Sequence, residues 1–376
     1  MYTILLNGQT LYSPLLCDQG YAVVNPVLIQ ELNSADALTF ICPASNPRIN
    51  SLLPLKATIE VYDDSSRIFY GRISGISKDF YNQRQVICEG ALAFFNDVIL
   101  RPYTFNGTVS DYISNMISQY NGFVNADRRM TASTDIVDNI QRANINYPTV
   151  LEEMREKLVG SSLEGFLLID YALGYAQNMP KFFYNSASGS QDNSQTIQFG
   201  VNLLDLSVGK DAEETYSIII PLGAIDDSIP DPSNYPAGWN DAQGKRLTIY
   251  DYYGSDSISS QQAETDYGKV ERVVIWDDVT QASNLYSKAD ATLNTVGRYV
   301  TQSVTINAVD MKLLGQSQTP LKLGNYYKLV SYPHQIVNKD GTNYYPLVRQ
   351  ELHLDNPSQS VYTFGKTQKT LTGGLV

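Results

Sequence analysis

Histidine is nearly absent from this 376-residue chain: there are 2, beside 3 cysteines and 2 tryptophans. That leaves little for chemistry. A zinc site takes three or four Cys, His or carboxylate ligands, and covalent catalysis takes a nucleophile, a base and an orienting group. Cys17, Cys42 and Cys88 are far apart and lack C-x-x-C spacing, which indicates neither a disulfide framework nor a metal ribbon; reduced thiols and synthesis in a cytoplasm are expected. No apolar run approaches the ~20 residues of a membrane span. The N-terminus, MYTILLNGQTLYSPLL, has no basic segment, apolar stretch and cleavage site in the order of a signal peptide. Basic residues are scarce too: 27 Lys and Arg against 39 Asp and Glu give a net charge of −12. Gripping a phosphate backbone needs clustered Lys and Arg, so no specific nucleic-acid binding is expected.

Catalytic signatures are also missing: no GxSxG, HExxH, phosphate-binding loop or helix-opening GxGxxG occurs in the sequence. Both histidines lie in LGNYYKLVSYPHQIVNKDGTNYYPLVRQELHL, His334 before an NKDG turn and His353 in the strand after it. Alternation along that strand puts Val348, Leu352 and Leu354 on one face and Arg349, Glu351 and His353 on the other, so the histidines read as surface residues of a β-hairpin rather than ligands or bases. Asp63/Asp64 and Asp277/Asp278 sit at turns or helix starts, where acidic residues are common for structural reasons. No catalytic, cofactor-binding or metal residue is assigned, and no cofactor is expected.

What is present is tyrosine, 27 of them against 12 phenylalanines, suited to half-buried strands and interfaces. From Met1 to about Gly90 short apolar runs alternate with turns. In KATIEVY, Ala57, Ile59 and Val61 alternate with polar neighbours, a period of two that reads as a small antiparallel barrel or sheet. The period then changes: Val109, Tyr112, Ile113, Met116, Ile117 and Tyr120 fall at helical spacing behind a Thr108/Asp111 cap, with Gly122 as a stop. Thr149 and Glu152 open a second helix with Leu151, Met154 and Leu158 as its stripe and Gly160 as its end. EGFLLIDYALGY, KFFYNSAS and SQTIQFG read as strands of a small α+β insertion. Residues 226–245 form a Pro/Asp/Gly-rich loop, RLTIYDYYG and KVERVVIW read as strands, and a third helix runs from Gln281 to Tyr299.

The order of these pieces carries more than any one of them. A barrel, NGTVSDYISNMISQYN, TVLEEMREKLVGSSLEGFLLID, NLLDLSVGKDAEETYSIIIPLGA, GKRLTIYDYYG, YGKVERVVIW, a helix, LKLGNYYKLVSYPH and LHLDNPSQSVYTFGK resemble, over essentially the whole chain, the hub proteins of phage tail tips and baseplates. These are the N-terminal region of siphophage tail-associated lysins, also described as prophage endopeptidase tail proteins, similar in fold to the central hub of contractile tails. The resemblance implies a mainly β fold with α+β insertions: a barrel-like hub domain over 1–100, an α+β insertion over 101–200, and a second barrel-like domain over 201–376 with a helical insertion at about 279–300. It implies a homotrimer with pseudo-sixfold symmetry that caps the tail tube and encloses the DNA exit channel. The partners would be the distal tail protein or tube ring, the tape-measure protein, and a tail fibre or receptor-binding protein, with the virion tail tip as location and no membrane insertion. The sequence stops at Val376 just after the last barrel strand, so no lytic domain is expected in it and the reading is not an enzyme. The net charge fits either a channel wall that does not hold passing DNA or simple solubility. Two other classes stay open: a cell-wall hydrolase using an unrecognised carboxylate pair, and a carbohydrate-binding tip protein in which Tyr235 and Trp239 of the long loop stack on sugars.

Overall fold

The computed structural model describes residues 1–159, 165–171, 181–186, 191–211, 216–225, 245–277, 279–295, 301–312, 315, 319–331 and 344–365. Two compact units divide the chain: Met1–Ser207 with Val304–Val376, and Val208–Ser303. The first unit opens with β1 (Tyr2–Leu6), β2 (Gln9–Tyr12), β3 (Val24–Glu31), β4 (Ala37–Cys42), β5 (Thr58–Asp63), β6 (Ser66–Lys78) and β7 (Arg84–Gly90). Asn7 and Gly8 join β1 to β2 at positive φ, 51° and 73°, the backbone an Asn-Gly hairpin loop supplies at little cost. The insertion follows as β8 (Tyr103–Thr108), α1 (Val109–Phe123), β9 (Thr131–Thr134), β10 (Asn139–Asn144), α2 (Val150–Met154), β11 (Gly165–Asp170) and β12 (Lys181–Ser186). Next come β13 (Gln191–Gln198) and β14 (Leu203–Asp211), and then, in the second unit, β15 (Ile218–Leu222), α3 (Tyr250–Tyr253), β16 (Ile258–Ser259), α4 (Gln261–Tyr267), β17 (Glu271–Ile275) and α5 (Ala282–Thr295). The chain closes with β18 (Thr301–Ala308), β19 (Tyr326–Val330), β20 (Tyr344–His353) and β21 (Val361–Phe364).

The protein is mainly β with α+β insertions. Thirteen strands form one sheet in the order β14-β18-β21-β20-β3-β4-β7-β6-β5-β1-β2, with β19 also on β20 and β13 on β19. Its two halves meet where β3 pairs antiparallel with β20, Glu31 opposite Arg349 through Val27 opposite His353. One core lies under both halves: Leu28, Leu38, Ile59 and Phe69 pack in the same cluster as Ile306, Leu347 and Phe364. Strands from residues 1–100 and from the C-terminal part of the chain are thus hydrogen-bonded into a single sheet.

Along β20 the buried set changes parity. Tyr345 and Leu347 are buried, then Leu352 and Leu354, while Val348 is only half-buried. A register shift between Leu347 and Arg349 against β21 is the cause, because one extra residue in a strand turns every later side chain to the other face.

In the insertion α1 forms as its spacing predicts. All six stripe residues are buried, and Thr108 Oγ1 accepts from the Asp111 N–H at 3.1 Å. The helix runs one residue past Gly122, closing on a Val124 N–H bond to the Tyr120 carbonyl. Thr149 and Glu152 make a reciprocal capping box (2.8 and 3.2 Å) for α2, which passes into a π-helical turn over Arg155–Val159; Gly160 lies outside the described residues. The small sheet is β11-β12-β9. SQTIQ, read as part of it, instead runs parallel to β19 in the large sheet. The strand that takes its place, TAST of β9, is too short and polar for a periodicity argument to find.

The second unit packs α5, through Leu285, Ala289 and Leu293, against Ile219 of β15 and Ile258 of β16. RLTIYDYYG is not a strand: it makes the single turn of α3, stopped by Gly254 at φ 82° with its N–H on the Tyr250 carbonyl. A further helix, α4, is capped by Ser260. In α5 the stripe continues to Leu293; Val296 lies outside the described residues.

Met116 is 2% exposed in the insertion core. Met116→Asp should cost about 3–5 kcal/mol of stability, the penalty of an unpaired buried charge. Urea denaturation checks it.

Candidate functional site

The sequence candidates do not converge. His353 Nε2 lies 3.6 Å from Glu351 Oε1, whose other oxygen accepts from Arg349 at 2.7 Å. This is a line of charges along one strand, not a catalytic pair. His334, Tyr235, Trp239 and Asp278 lie outside the described residues. Cys17 is exposed with its thiol on the Ser13 carbonyl at 3.3 Å. Cys42 and Cys88 are buried; burial pushes the Cys42 thiol up to about 11 and Cys88 higher still, the reverse of nucleophile activation. Among the described residues no three His, Cys, Asp or Glu side chains group to hold a metal. Asp63 and Asp64 receive the N-terminal ammonium at 3.1 and 2.7 Å, and Lys312 reaches Asp63 at 2.7 Å. Burial would raise the Asp63 carboxyl, but these two cations hold it below its ordinary range. Asp277 takes Arg246 at 2.5 Å. Each of these acids clamps a cation.

The first unit does contain a cleft of about 470 Å³, and beside it runs a buried polar chain that sequence reasoning missed. Gln350 stands opposite Gln30 where β20 meets β3, and its Nε2 donates to Gln30 Oε1 at 2.6 Å. Gln30 Nε2 donates in turn to Asp36 Oδ2 at 2.8 Å and to the Ile68 carbonyl at 3.2 Å. The signal was available. In VLIQEL, Gln30 shares parity with Leu28, and an amide at a core-facing position must find partners.

Arg67, 4% exposed, links the large sheet to the insertion: its Nε donates to the Tyr171 carbonyl at 2.8 Å and its Nη1 to Glu60 at 3.3 Å. The Tyr171 hydroxyl is buried beside Asp36 and finds no hydrogen bond of ordinary geometry. Gly90 makes room for it, since a Cβ there would stand 2.7 Å from that hydroxyl and 2.9 Å from Asp36 Cβ. Burial raises the Asp36 carboxyl to about 6 despite the Gln30 amide that favours its charge. A second buried acid, Glu153, is enclosed by Tyr103, Tyr112 and Asn144, with Tyr112 at 3.3 Å and the two tyrosine hydroxyls 2.6 Å apart. Both arrangements hold strands and helices together; neither presents a nucleophile.

Residues 191–374 match the model of the prophage endopeptidase tail family. Whole-chain likeness extends to three solved structures. The prophage MuSo2 43 kDa tail protein of Shewanella oneidensis is 10% identical with a TM-score of 0.60, covering 98% of each chain. A tail protein of Neisseria meningitidis MC58 is 12% identical with a TM-score of 0.58, covering 97% of this chain and 96% of that one. Prophage tail protein gp18 of Listeria monocytogenes EGD-e is 12% identical with a TM-score of 0.54, covering 93% and 90%. The chain has the fold of prophage tail proteins. No curated protein matches it. The fold is thus kept at identities where few individual side chains can be shared, which strand patterning and core volume suffice to preserve.

Asp36 gives this protein a measurable pH response. A carboxyl with an ordinary value of 3.8 unfolded and about 6 folded binds its proton more tightly in the native state. Its contribution is fully present below about pH 4 and is lost as pH rises through 6, an effect on the order of 3 kcal/mol. Asp36→Asn should remove that component, so the difference in stability between variant and parent should move toward the variant from pH 4 to pH 7 in urea titrations.

Proposed function

We propose that the chain is a structural hub of a phage or prophage-derived tail, a homotrimer that caps the tube and surrounds the DNA exit channel. The observation that carries this reading is likeness over nearly the full length of both chains to prophage tail proteins, joined to the family match at residues 191–374. The two halves of the large sheet, from residues 1–100 and from the C-terminal part of 201–376, are taken as its two barrel-type domains. The segment 101–200 and the helical region near 279–300 are additions outside the ring. Three copies then present six similar half-sheets, the number that a sixfold tube requires. Expected partners are the distal tail protein or tube ring, the tape-measure protein, and a tail fibre or receptor-binding protein, at the virion tail tip after synthesis in the host cytoplasm.

The reading is not enzymatic. Among the described residues the exposed Cys17 thiol meets main-chain carbonyls and no base, the buried thiols are raised, and the buried acids are enclosed by hydrogen bonds, so zymography on purified cell walls should show no clearing by the purified chain. Clearing that disappears on Glu153→Gln or Asp36→Asn would favour hydrolysis instead. The assembly claim is checked by native mass spectrometry and by microscopy of assembled tails. The expected species is three times the 41.9 kDa chain; a strict monomer or a ring of six chains in the tail would contradict it.

A further inference from the structure

One wall of the cleft is an open strand edge. Among the described residues β11 has β12 on one side only, Leu167 opposite Tyr184 and Ile169 opposite Phe182. On its outer side Asn33 imitates one residue of a missing strand: its N–H donates to the Leu167 carbonyl at 3.1 Å, and its Oδ1 accepts the Leu167 N–H at 2.7 Å. Main-chain groups of an antiparallel pair alternate in direction, so the N–H and C=O of Ile169, two residues on, also point away from β12. The following outward carbonyl, Tyr171, is already taken by Arg67. Leu168, Ile169 and Tyr171 all line the cleft. Ile169 is therefore an unfilled rung between two filled ones, where a passing main chain could donate one bond and accept another.

The rest of the lining suits such a visitor. Leu323 and Phe183 supply apolar contacts, and the half-buried amide of Gln350 supplies a polar one. Charge then selects among peptides. Asp63 holds Lys312, Asp310 accepts from Gln195 and from the main-chain N–H groups of Lys312 and Leu321, and Arg67 holds Glu60. Asp170 has a partner of its own. Among the described residues of the lining, Lys322 is exposed and makes no ion pair.

We propose that this cleft binds an extended peptide segment carrying a carboxylate, added as a strand on β11 at Ile169 with its acid toward Lys322. Main-chain pairing would give such a site affinity with little sequence demand, and the lone cation would set its preference. The inference goes beyond the hub reading and does not rest on it; a trimer that binds no peptide would keep the hub and lose this site.

The test is a random twelve-residue peptide display library panned against the full-length chain, with a selected peptide then measured by fluorescence polarisation. Enriched peptides should carry Asp or Glu within alternating apolar residues. Ile169→Pro removes the outward N–H without touching the β12 ladder and should weaken binding about tenfold or more, and Lys322→Glu severalfold. Should the proline variant fail to fold by circular dichroism, N-methylation of the peptide's alternate amides on the unaltered chain should give the same loss. No enrichment, or affinity indifferent to Ile169→Pro and to N-methylation, overturns the proposal.

Discussion

The antiparallel pairing of β3 with β20 is the constraint on which the first unit depends. Glu31 meets Arg349 and Val27 meets His353, bringing together segments more than three hundred residues apart in sequence. Loop closure over such a span costs more than over a short one, but only logarithmically. Burial offsets it: Leu28 and Leu352, opposite each other in that register, sit in the core at 0% and 4% exposure. The Gln30–Gln350 pair adds a hydrogen bond across the junction. Without this pairing the sheet would fall into two pieces with two exposed edges, each an aggregation risk.

From that junction the polar chain leads outward to Asp36, where burial forces a carboxyl toward its neutral form. The insertion is held by separate links of the same kind, Arg67 to the Tyr171 carbonyl and Asn33 to the main chain of Leu167. These contacts are directional and few, whereas the cores on either side are extensive. An apolar core that takes in Tyr70 of β6 fixes the insertion's shape, and these hydrogen bonds add direction to its attachment.

Much of the local structure was legible. Period-two alternation located Ala57, Ile59 and Val61 in the core, and the i, i+3, i+4 stripe with its Thr108 cap gave α1 almost to the residue. Three things were not legible, each for a physical reason. Which strands pair across the chain is a tertiary choice that leaves no mark in either strand alone, so β3 and β20 read as members of different domains. The bulge in β20 reverses a parity that alternation assumes constant. Short polar strands such as β9 and the single turn of α3 are set by their neighbours, not by their own propensity. At the site, Gln30 at a core position signalled a buried network whose partners only the fold could name.

The central claim is that the N- and C-terminal strands form one cooperative sheet, and native-state hydrogen exchange tests it most directly. Amides of β3, β4, β20 and β21 should open together with the same free energy and the same denaturant dependence, as one unfolding unit. If β18, β20 and β21 exchange through a separate, lower-energy opening that leaves β3 to β7 protected, the two halves unfold independently and the single-sheet account is wrong.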